Sequence, residues 1–350
     1  MSRSERKMDH VKNALSTGQS RQSGLDDVTF VHNTLPGTAV ENISLTSEIG
    51  GLHLSSPVFI NAMTGGGGRN TETINRQLAQ LANVFHIPIA VGSQMSAIKD
   101  SSEAHTYKVV RQYHPRGLIF ANVGSEASVE EARYCVDLLE ADALQIHLNV
   151  IQELVMPEGD RDFRGALERI EAIVSSVNVP VIVKEVGFGM SRETVSKLYS
   201  AGVEIVDIGG YGGTNFAKIE NARRDDPMTF FNDWGIPTTV SVIEAASVPG
   251  KREILATGGI QTAFDAAKVI ALGANAAGMA GRVLYWMQND GFEQTISHLE
   301  LVFDELKMIM AATGAGSIKE FQQSPLIISG NTKAWLNERG IDTGKFARRG

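Results

Sequence analysis

The chain has 350 residues, of which 43% are hydrophobic and 21% charged, so it can build one large domain or two medium ones. Its formal net charge of −8 excludes a general polyanion binder, and any phosphate site has to be local. A single cysteine, Cys135, excludes a disulfide framework and a cysteine-rich metal centre. The charged start resembles no signal peptide, and no apolar run is long enough to span a bilayer. We therefore expect a cytoplasmic protein that binds neither membranes nor nucleic acid.

Eight short apolar runs recur along the chain and predict eight buried strands. They are "PVFINAM" near residue 57, "IPIAVGS" near 87, "GLIFANVG" near 117, "ADALQIHLN" near 141, "VPVIVKEVG" near 179, "VEIVDIGG" near 203, "REILATGG" near 252 and "ANAAGMAGR" near 274. Most of these runs are apolar on both faces, which is typical of parallel strands that are covered by helices on both sides.

The segments between the strands have helical patterns. "TETINRQLAQLANVF" places four apolar side chains on one stripe: Ile74, Leu78, Leu81 and Phe85. "SVEEARYCVDLLE" opens with Ser128 and Glu131 at the spacing of a capping box. "TAFDAAKVIALG" ends at Gly273, which we interpret as a helix C-cap.

Eight strand–helix units in about 250 residues predict a (β/α)8 TIM barrel with its active site at the C-terminal face of the strands. The alternative is a doubly wound open sheet, which has similar local signals, but no G-x-G-x-x-G follows the first strand. We expect a single domain over residues 1–350. It would carry an N-terminal arm of about 1–50 and a polar C-terminal segment of about 328–350, to which we assign no role.

The connections after the fourth and sixth strands are long, and such loops lie at the active-site face of a barrel. In "HLNVIQELVMPEGD", which begins at residue 147, alternation along a strand places Gln145, His147 and Asn149 on one face. Gln152 and Glu153 follow in the predicted loop above. The alternative is a polar strand end that satisfies only its own loop backbone.

Four other strand ends are rich in glycine: "NAMTGGGGRN", "GGYGGTN", "TGGIQT" and "MAGR". Glycine loops after strands 7 and 8 of a barrel commonly hold a phosphate group at a helix N-terminus. They predict a phosphate site in this chain.

Three further features are Lys184, the N-terminal arm and Cys135, and the interpretation of the first two depends on the ligand. Lys184 interrupts the apolar "VIVKEVG", so we expect it to pair with a carboxylate or an anionic ligand such as a flavin ring, or else to reach solvent. The N-terminal "SERKMDH" reads as a frayed terminus unless a phosphate-bearing substrate lies beneath it. Cys135 lies on an amphipathic helix, which favours apolar packing over nucleophilic catalysis.

The motifs "RKMDH", "NAMTGG", "VGSQ", "HLN" followed by "QE", "VKEVGFG", "GGYGGTNF", "ATGGI" and "MAGR" together resemble the type 2 isopentenyl diphosphate isomerases. The resemblance runs from about residue 3 to 330 in unbroken order. It implies an FMN-binding barrel that interconverts isopentenyl and dimethylallyl diphosphate. It also implies reduced FMN as an acid–base cofactor, Mg2+ on the diphosphate, NADPH as a reductant, and a homotetramer or homooctamer.

The resemblance also implies site residues. The expected FMN contacts are Ala62, Met63, Thr64, Ser93, Asn122, Lys184, Thr214, Gly258, Gly259, Ala280 and Gly281. The expected substrate contacts are Arg6, Lys7, His10, Ser93, Gln94, His147, Asn149 and Gln152. Of these, the expected catalytic set is Gln152, His147 and Asn149, and Glu153 would bind Mg2+, a hard cation that prefers oxygen ligands.

Two alternative functions stay open from the sequence. An FMN-dependent 2-hydroxy-acid oxidoreductase has a related barrel, but it needs a histidine base in an "NHGGR"-like loop after strand 6. Here that loop reads "GGYGGTNF", with Tyr211 and no histidine. A non-catalytic barrel that binds flavin or a phospho-ligand would need the glycine loops, but it would not explain why His147, Gln152 and Glu153 converge.

Overall fold

The computed structural model describes residues 22–63, 67–250 and 253–350. The strands within these ranges are β1 Val28–Phe30, β2 Ser47–Ile49, β3 Leu52–Leu54, β4 Val58–Ile60, β5 Ile89–Ala90, β6 Ile119–Gly124, β7 Ala143–Leu148, β8 Val181–Glu185, β9 Ile205–Asp207, β10 Glu253–Ala256, β11 Ala276–Met279 and β12 Leu326–Ile328. Strands β4 to β11 form a closed parallel barrel in which each strand pairs with the next and β11 pairs with β4. The predicted eight-stranded barrel is therefore confirmed, and the open sheet is wrong.

Helices follow the barrel strands and cover the outside of the barrel. They are α1 Gly68–Phe85, α2 Met95–Lys99, α3 His105–Tyr113, α4 Val129–Leu139, α5 Val150–Val155, α6 Ala166–Val174, α7 Arg192–Ser200, α8 Phe216–Asn221, α9 Thr238–Ser247, α10 Ala263–Leu272, α11 Gly281–Asn289, α12 Phe292–Thr313, α13 Ile318–Phe321, α14 Gly330–Glu338 and α15 Gly344–Ala347. The three predicted helices correspond to α1, α4 and α10. The capping box of α4, formed by Ser128 and Glu131, and the C-cap of α10 at Gly273 are confirmed.

The inside of the barrel has an apolar layer at the N-terminal ends of the strands. Its members include Phe59, Phe120, Ile182 and Leu255, which are all buried. The hairpin formed by β2 and β3 contributes Ile49 and Leu54 to the same cluster and so closes this end of the barrel. Ligand access is therefore left to the carboxyl ends of the strands.

A polar layer lies above the apolar one, one strand pleat closer to the carboxyl ends. It consists of Asn61, Asn122, Gln145, Lys184, Asp207 and Thr257, which are all buried. Side chains alternate along a strand, and each of these residues lies two positions after a residue of the apolar layer on the same strand. Buried polar groups need partners, and most of this layer is joined by hydrogen bonds.

The two long connections contain short helices that the sequence did not predict. Gln152 and Glu153, which we expected in a loop, lie on α5, and Asn149 follows the last residue of β7. Helix α5 forms because Ile151 and Val155 are four residues apart and pack together into a small cluster. Its other members are Phe188, Ala217, Phe216 and Phe231.

The terminal segments close the outside of the fold. Strand β1 pairs antiparallel with β12, which ties the described part of the N-terminal arm to the C-terminal segment. We predicted a polar C-terminal segment, but three of its apolar residues, Leu336, Ile341 and Phe346, are buried. In the described ranges, no helix is long and apolar enough to cross a membrane.

Candidate active site

A cavity of about 350 Å³ opens at the carboxyl ends of the barrel strands, within the range of small-molecule and cofactor sites. All eight strands or their ends contribute to its wall. Most residues predicted for the cofactor, the substrate and the metal line this one cavity: Ala62, Met63, Ser93, Asn122, His147, Asn149, Gln152, Glu153, Lys184, Thr214, Gly258, Gly259, Ala280 and Gly281. Four predicted residues lie outside the described ranges: Arg6, Lys7, His10 and Thr64.

Gln94, which we expected to contact substrate, is not among the residues that line the cavity. It is fully buried, and its amide Nε2 donates to the backbone oxygen of Cys135 at 3.1 Å. Its Oε1 accepts from the backbone N–H of Asn122 at 2.9 Å. Gln94 therefore ties β6 to helix α4 from behind, whereas its neighbour Ser93 faces the cavity. Burial raises the pKa of Cys135 to about 12, consistent with the predicted packing role.

Glu153 is held in place by two hydrogen bonds within the connection after β7. Its Oε1 accepts from Asn149 Nδ2 and its Oε2 from the backbone N–H of Asp160, each at 2.8 Å. A carboxylate has about four acceptor positions, so both oxygens retain capacity for a cation. In the parts of the chain that the structure describes, no group of three or more His, Cys, Asp or Glu side chains could hold a metal ion by itself. A metal here would need ligands from substrate and water.

Gln152 leads from the cavity to a carboxylate that the sequence analysis missed. Its Nε2 donates to Oε1 of Glu220 at 3.1 Å, and Glu220 is fully buried and forms an ion pair with Arg223. Arg223 also pairs with Glu158 at 2.6 Å, so it joins the two long connections. The available signal was helical spacing, because Glu220 lies four residues after Phe216, which lines the cavity.

Lys184 lies in the floor of the cavity between His147 and Asp207, its neighbours in register on the adjacent strands. Its Nζ donates to the backbone oxygen of Glu185 at 2.8 Å. Burial raises the pKa of Asp207, and the positive charge of Lys184 opposes that effect. This arrangement supports the predicted pairing of Lys184 with a carboxylate, and it keeps the ammonium group at the cavity.

Glu185, the next residue, also lines the cavity and was not predicted. Its Oε2 accepts hydrogen bonds from three successive backbone N–H groups: those of Gly187, Phe188 and Gly189. Burial raises the pKa of Glu185 to about 7, although these hydrogen bonds and the charge of Lys184 favour the ionised form.

The glycine loops form a cradle of bare backbone at one side of the cavity. Gly258 and Gly259 have φ angles of 104° and 81°, and a Cβ on Gly259 would lie 2.5 Å from the backbone oxygen of Gly212. Helix α11 begins at Gly281 beside them, and no described side chain caps it. Backbone N–H groups at a helix N-terminus suit an anion, so these residues fit the phosphate group of FMN.

Tyr211 is turned away from the cavity. It is buried, and its hydroxyl donates to the backbone oxygen of Asn232 at 3.0 Å. In the described part of the cavity wall, the histidine is His147 on β7 and none comes from the connection after β9. The histidine base that a 2-hydroxy-acid oxidoreductase needs in that connection is therefore missing from the described residues.

Comparisons with solved structures agree with this fold. The chain is similar to a mandelate oxidase variant with a monooxide FMN adduct (TM-score 0.63, 16% identity, covering 91% of this chain and 95% of that one). It is also similar to a flavocytochrome b2 variant with sulfite bound (TM-score 0.69, 17% identity, 93% and 84%). At this identity the likeness shows the shared barrel fold alone.

Comparisons of sequence are more specific. Residues 125–328 match the model of the FMN-dependent dehydrogenase family. Over 349 residues, the chain is 55% identical to an isopentenyl-diphosphate delta-isomerase of Bacillus licheniformis and 54% identical to one of a Geobacillus species, with 100% of each chain covered. A Bacillus thuringiensis protein of the same name is 56% identical, again over 100% of both chains. The chain therefore belongs to the isopentenyl-diphosphate delta-isomerase family and contains its FMN-dependent dehydrogenase domain.

Proposed function

We propose that this protein interconverts isopentenyl and dimethylallyl diphosphate by a 1,3-proton shift, as the names of its relatives indicate. The observation that carries the proposal is the convergence of His147, Gln152 and Glu153 in one cavity with the glycine cradle. A barrel that only bound flavin or a phospho-ligand would have no need for that convergence. The 2-hydroxy-acid alternative is disfavoured by Tyr211, which stands where such an enzyme needs its base.

FMN fits the deeper part of the cavity in this proposal. Its phosphate would be held by backbone groups of Gly258, Gly259, Ala280 and Gly281. The remaining FMN contacts would be Ala62, Met63, Thr64, Ser93, Asn122, Lys184 and Thr214. When bound and reduced, FMN would supply an electron-rich surface for acid–base chemistry, and the nearby ammonium group of Lys184 would stabilise negative charge on its ring.

The substrate would lie against the connection after β7. Glu153 would bind Mg2+, with diphosphate oxygens and water completing the coordination shell. His147, Asn149, Gln152 and Ser93 would contact the substrate, and Arg6, Lys7 and His10 would bind its diphosphate. Gln152 has no useful pKa, so we assign it a positioning role between substrate and Glu220.

The reaction adds a proton at the terminal alkene carbon and removes one from the allylic carbon. An alkene is a very poor base, so the site has to exclude water and stabilise cationic character. The chain supplies apolar side chains in the cavity wall for this purpose: Met95, Met156, Phe216, Ile260 and Leu284. We further propose NADPH as the reductant, a cytoplasmic location, a single domain, and a homotetramer or homooctamer.

The test is an anaerobic assay of the purified protein with isopentenyl diphosphate, in which FMN, Mg2+ and the reductant are each left out in turn. We expect dimethylallyl diphosphate only when all three are present. Protein that is yellow as purified, and that forms no product even when its FMN is fully reduced, would overturn the isomerase proposal and leave the FMN site in place.

A further inference from the structure

A chain of hydrogen bonds runs through the polar layer inside the barrel, from β9 to β7. Asp207 Oδ2 accepts from Asn61 Nδ2 at 3.0 Å, and Asn61 Oδ1 accepts from Gln145 Nε2 at 3.2 Å. Gln145 Oε1 accepts from Asn122 Nδ2 at 3.3 Å, and Asn122 Oδ1 lies 2.9 Å from His147 Nδ1. Asp207 and the three amides are at most 4% exposed, so the chain is screened from solvent.

The direction of this chain is fixed at the Asp207 end. The backbone N–H of Gly209 and the hydroxyl of Thr257 both donate to Oδ1 of Asp207, and Asn61 donates to Oδ2, so the carboxylate acts only as an acceptor. The backbone N–H of Ala62 donates to Oδ1 of Asn61 at 2.8 Å, so it favours the same orientation of the Asn61 amide as Asp207 does.

The orientation of each remaining amide follows from the one before it. Asn61 presents its oxygen to Gln145, so Gln145 has to present its NH2 group there and its oxygen to Asn122. Asn122 then presents its oxygen to His147. An amide oxygen can only accept, so the proton of the neutral His147 ring lies on Nδ1.

We propose that Asp207 is a positioning residue that sets the tautomer of His147 through the three intervening amides. Asp207 itself does not line the cavity. With Nδ1 as the donor, Nε2 accepts a hydrogen bond in the neutral ring and donates one when the ring is charged. A charged His147 ring would donate from Nε2 to a diphosphate oxygen, and this benefit to binding rests on the proposed function. The assignment of the tautomer does not rest on it.

The experiment is 15N NMR of protein labelled at histidine, with every variant in the same flavin state. The signals of His147 are identified by their loss in His147→Gln, and their shifts show which nitrogen carries the proton. In Asp207→Asn, Gly209 and Thr257 require an acceptor, so the new NH2 group faces the NH2 group of Asn61. We expect the ratio of the Nδ1–H to the Nε2–H tautomer to fall at least about tenfold, the scale of one lost hydrogen bond.

Two further variants distinguish an effect of the series of hydrogen bonds from a local effect around Asp207. Gln145→Met breaks the series of hydrogen bonds in the middle without a change of charge. It should lower the ratio of the Nδ1–H to the Nε2–H tautomer as Asp207→Asn does, and it keeps the proposal testable if Asp207→Asn fails to fold. Thr257→Val removes one hydrogen bond to Asp207 and reverses none, so it should leave the ratio unchanged. An unchanged ratio in Gln145→Met, or an equal change in Thr257→Val, would overturn the proposal. The spectra need no turnover, so this result and that of the isomerase assay can fail separately.

Discussion

Glu153 is the residue on which the metal assignment depends. Its two carboxylate oxygens accept from Asn149 and from the backbone of Asp160, and both of those donors belong to the same connection. The connection therefore aims the carboxylate before any ion arrives, which lowers the entropic cost of binding. The same contacts make the carboxylate sensitive to exchange for an amide.

We expect Glu153→Gln to lower turnover at saturating Mg2+ by at least about 100-fold while FMN stays bound, because outer-shell changes alone cost up to that much. The amide carries no charge, and its NH2 group would face one of the two donors. Turnover is measured as a function of Mg2+, and FMN retention by absorbance. Asp162→Asn is the matched control, since Asp162 pairs with Arg164 on the same connection and is exposed. A normal Mg2+ response in Glu153→Gln would move the metal elsewhere.

Glu185 should make the stability of the protein depend on pH. Its pKa is raised from 4.5 to about 7 in the folded protein, so the folded state binds this proton more tightly than the unfolded state. Its contribution is therefore fully present below about pH 4.5 and is lost as the pH rises through about 7. The difference between the two pKa values corresponds to about 3 kcal/mol.

The measurement is the free energy of unfolding by urea at several pH values between 4.5 and 8, for the wild type and Glu185→Gln. The wild type should lose stability relative to the variant as the pH rises through this window. Parallel curves for the two proteins would show that Glu185 is ionised throughout.

At the scale of single residues, about half of the cavity wall could be located from the sequence, through the family resemblance and through polar and glycine residues that interrupt apolar strands. Lys184 and His147 are examples, since each stands at a strand end where burial would otherwise be costly. Sequence reasoning did not anticipate that Gln94 is buried behind the cavity wall, because adjacent residues of one motif point in different directions. It missed Glu185, because its three partners are backbone N–H groups that leave no trace in the sequence.

At the scale of elements, the loop after β10 carries the phosphate assignment. Gly259 has positive φ, and a Cβ added to it would lie 2.5 Å from the backbone oxygen of Gly212 in the neighbouring loop. A side chain there would push the two loops apart and displace the N–H groups that fit a phosphate.

We expect Gly259→Ala to weaken FMN binding at least about tenfold, because both crowding and positive φ oppose the substitution. Gly340→Ala is a matched control: its φ is 70°, but no atom lies within 4 Å of its new Cβ. FMN affinity is measured by titration of flavin fluorescence. Equal affinities for the two variants would mean that the cradle does not hold the phosphate.

The strands and long helices were predictable as elements because their apolar patterns repeat over several periods. Helices α5 and α8 were not, since each has six residues and shows less than two turns of pattern. Both depend on tertiary contacts, through Val155 and Ala217 in one small cluster. The site therefore includes elements that only the fold can specify.

At the scale of the whole molecule, the barrel could be predicted by counting strands. The β2–β3 hairpin and the β1–β12 pair, which cover the barrel, could not. The β2–β3 hairpin places Ile49 and Leu54 in the barrel interior, and β1 pairs with β12 across about 300 residues of sequence. Such contacts join segments of low local periodicity, so no window of sequence indicates them.

The C-terminal segment should behave as part of the barrel and not as a separate tail. Phe346 is 1% exposed, the guanidinium of Arg349 stacks on its ring, and Arg349 donates to the backbone of Ala271 at the end of α10. Helix α10 follows the glycine loop of the phosphate cradle, so the end of the chain supports an element of the site.

We expect Phe346→Ala to lower the free energy of unfolding by about 3–5 kcal/mol, the usual cost of removing a buried aromatic side chain. Met308→Ala, at a position that is 59% exposed, should cost under about 0.5 kcal/mol. Urea unfolding followed both by tryptophan fluorescence and by release of FMN measures the two effects. If one domain spans the chain, both signals move together to lower urea in Phe346→Ala. A shift of neither signal, or a separate early transition with FMN still bound, would show that the segment folds apart from the barrel.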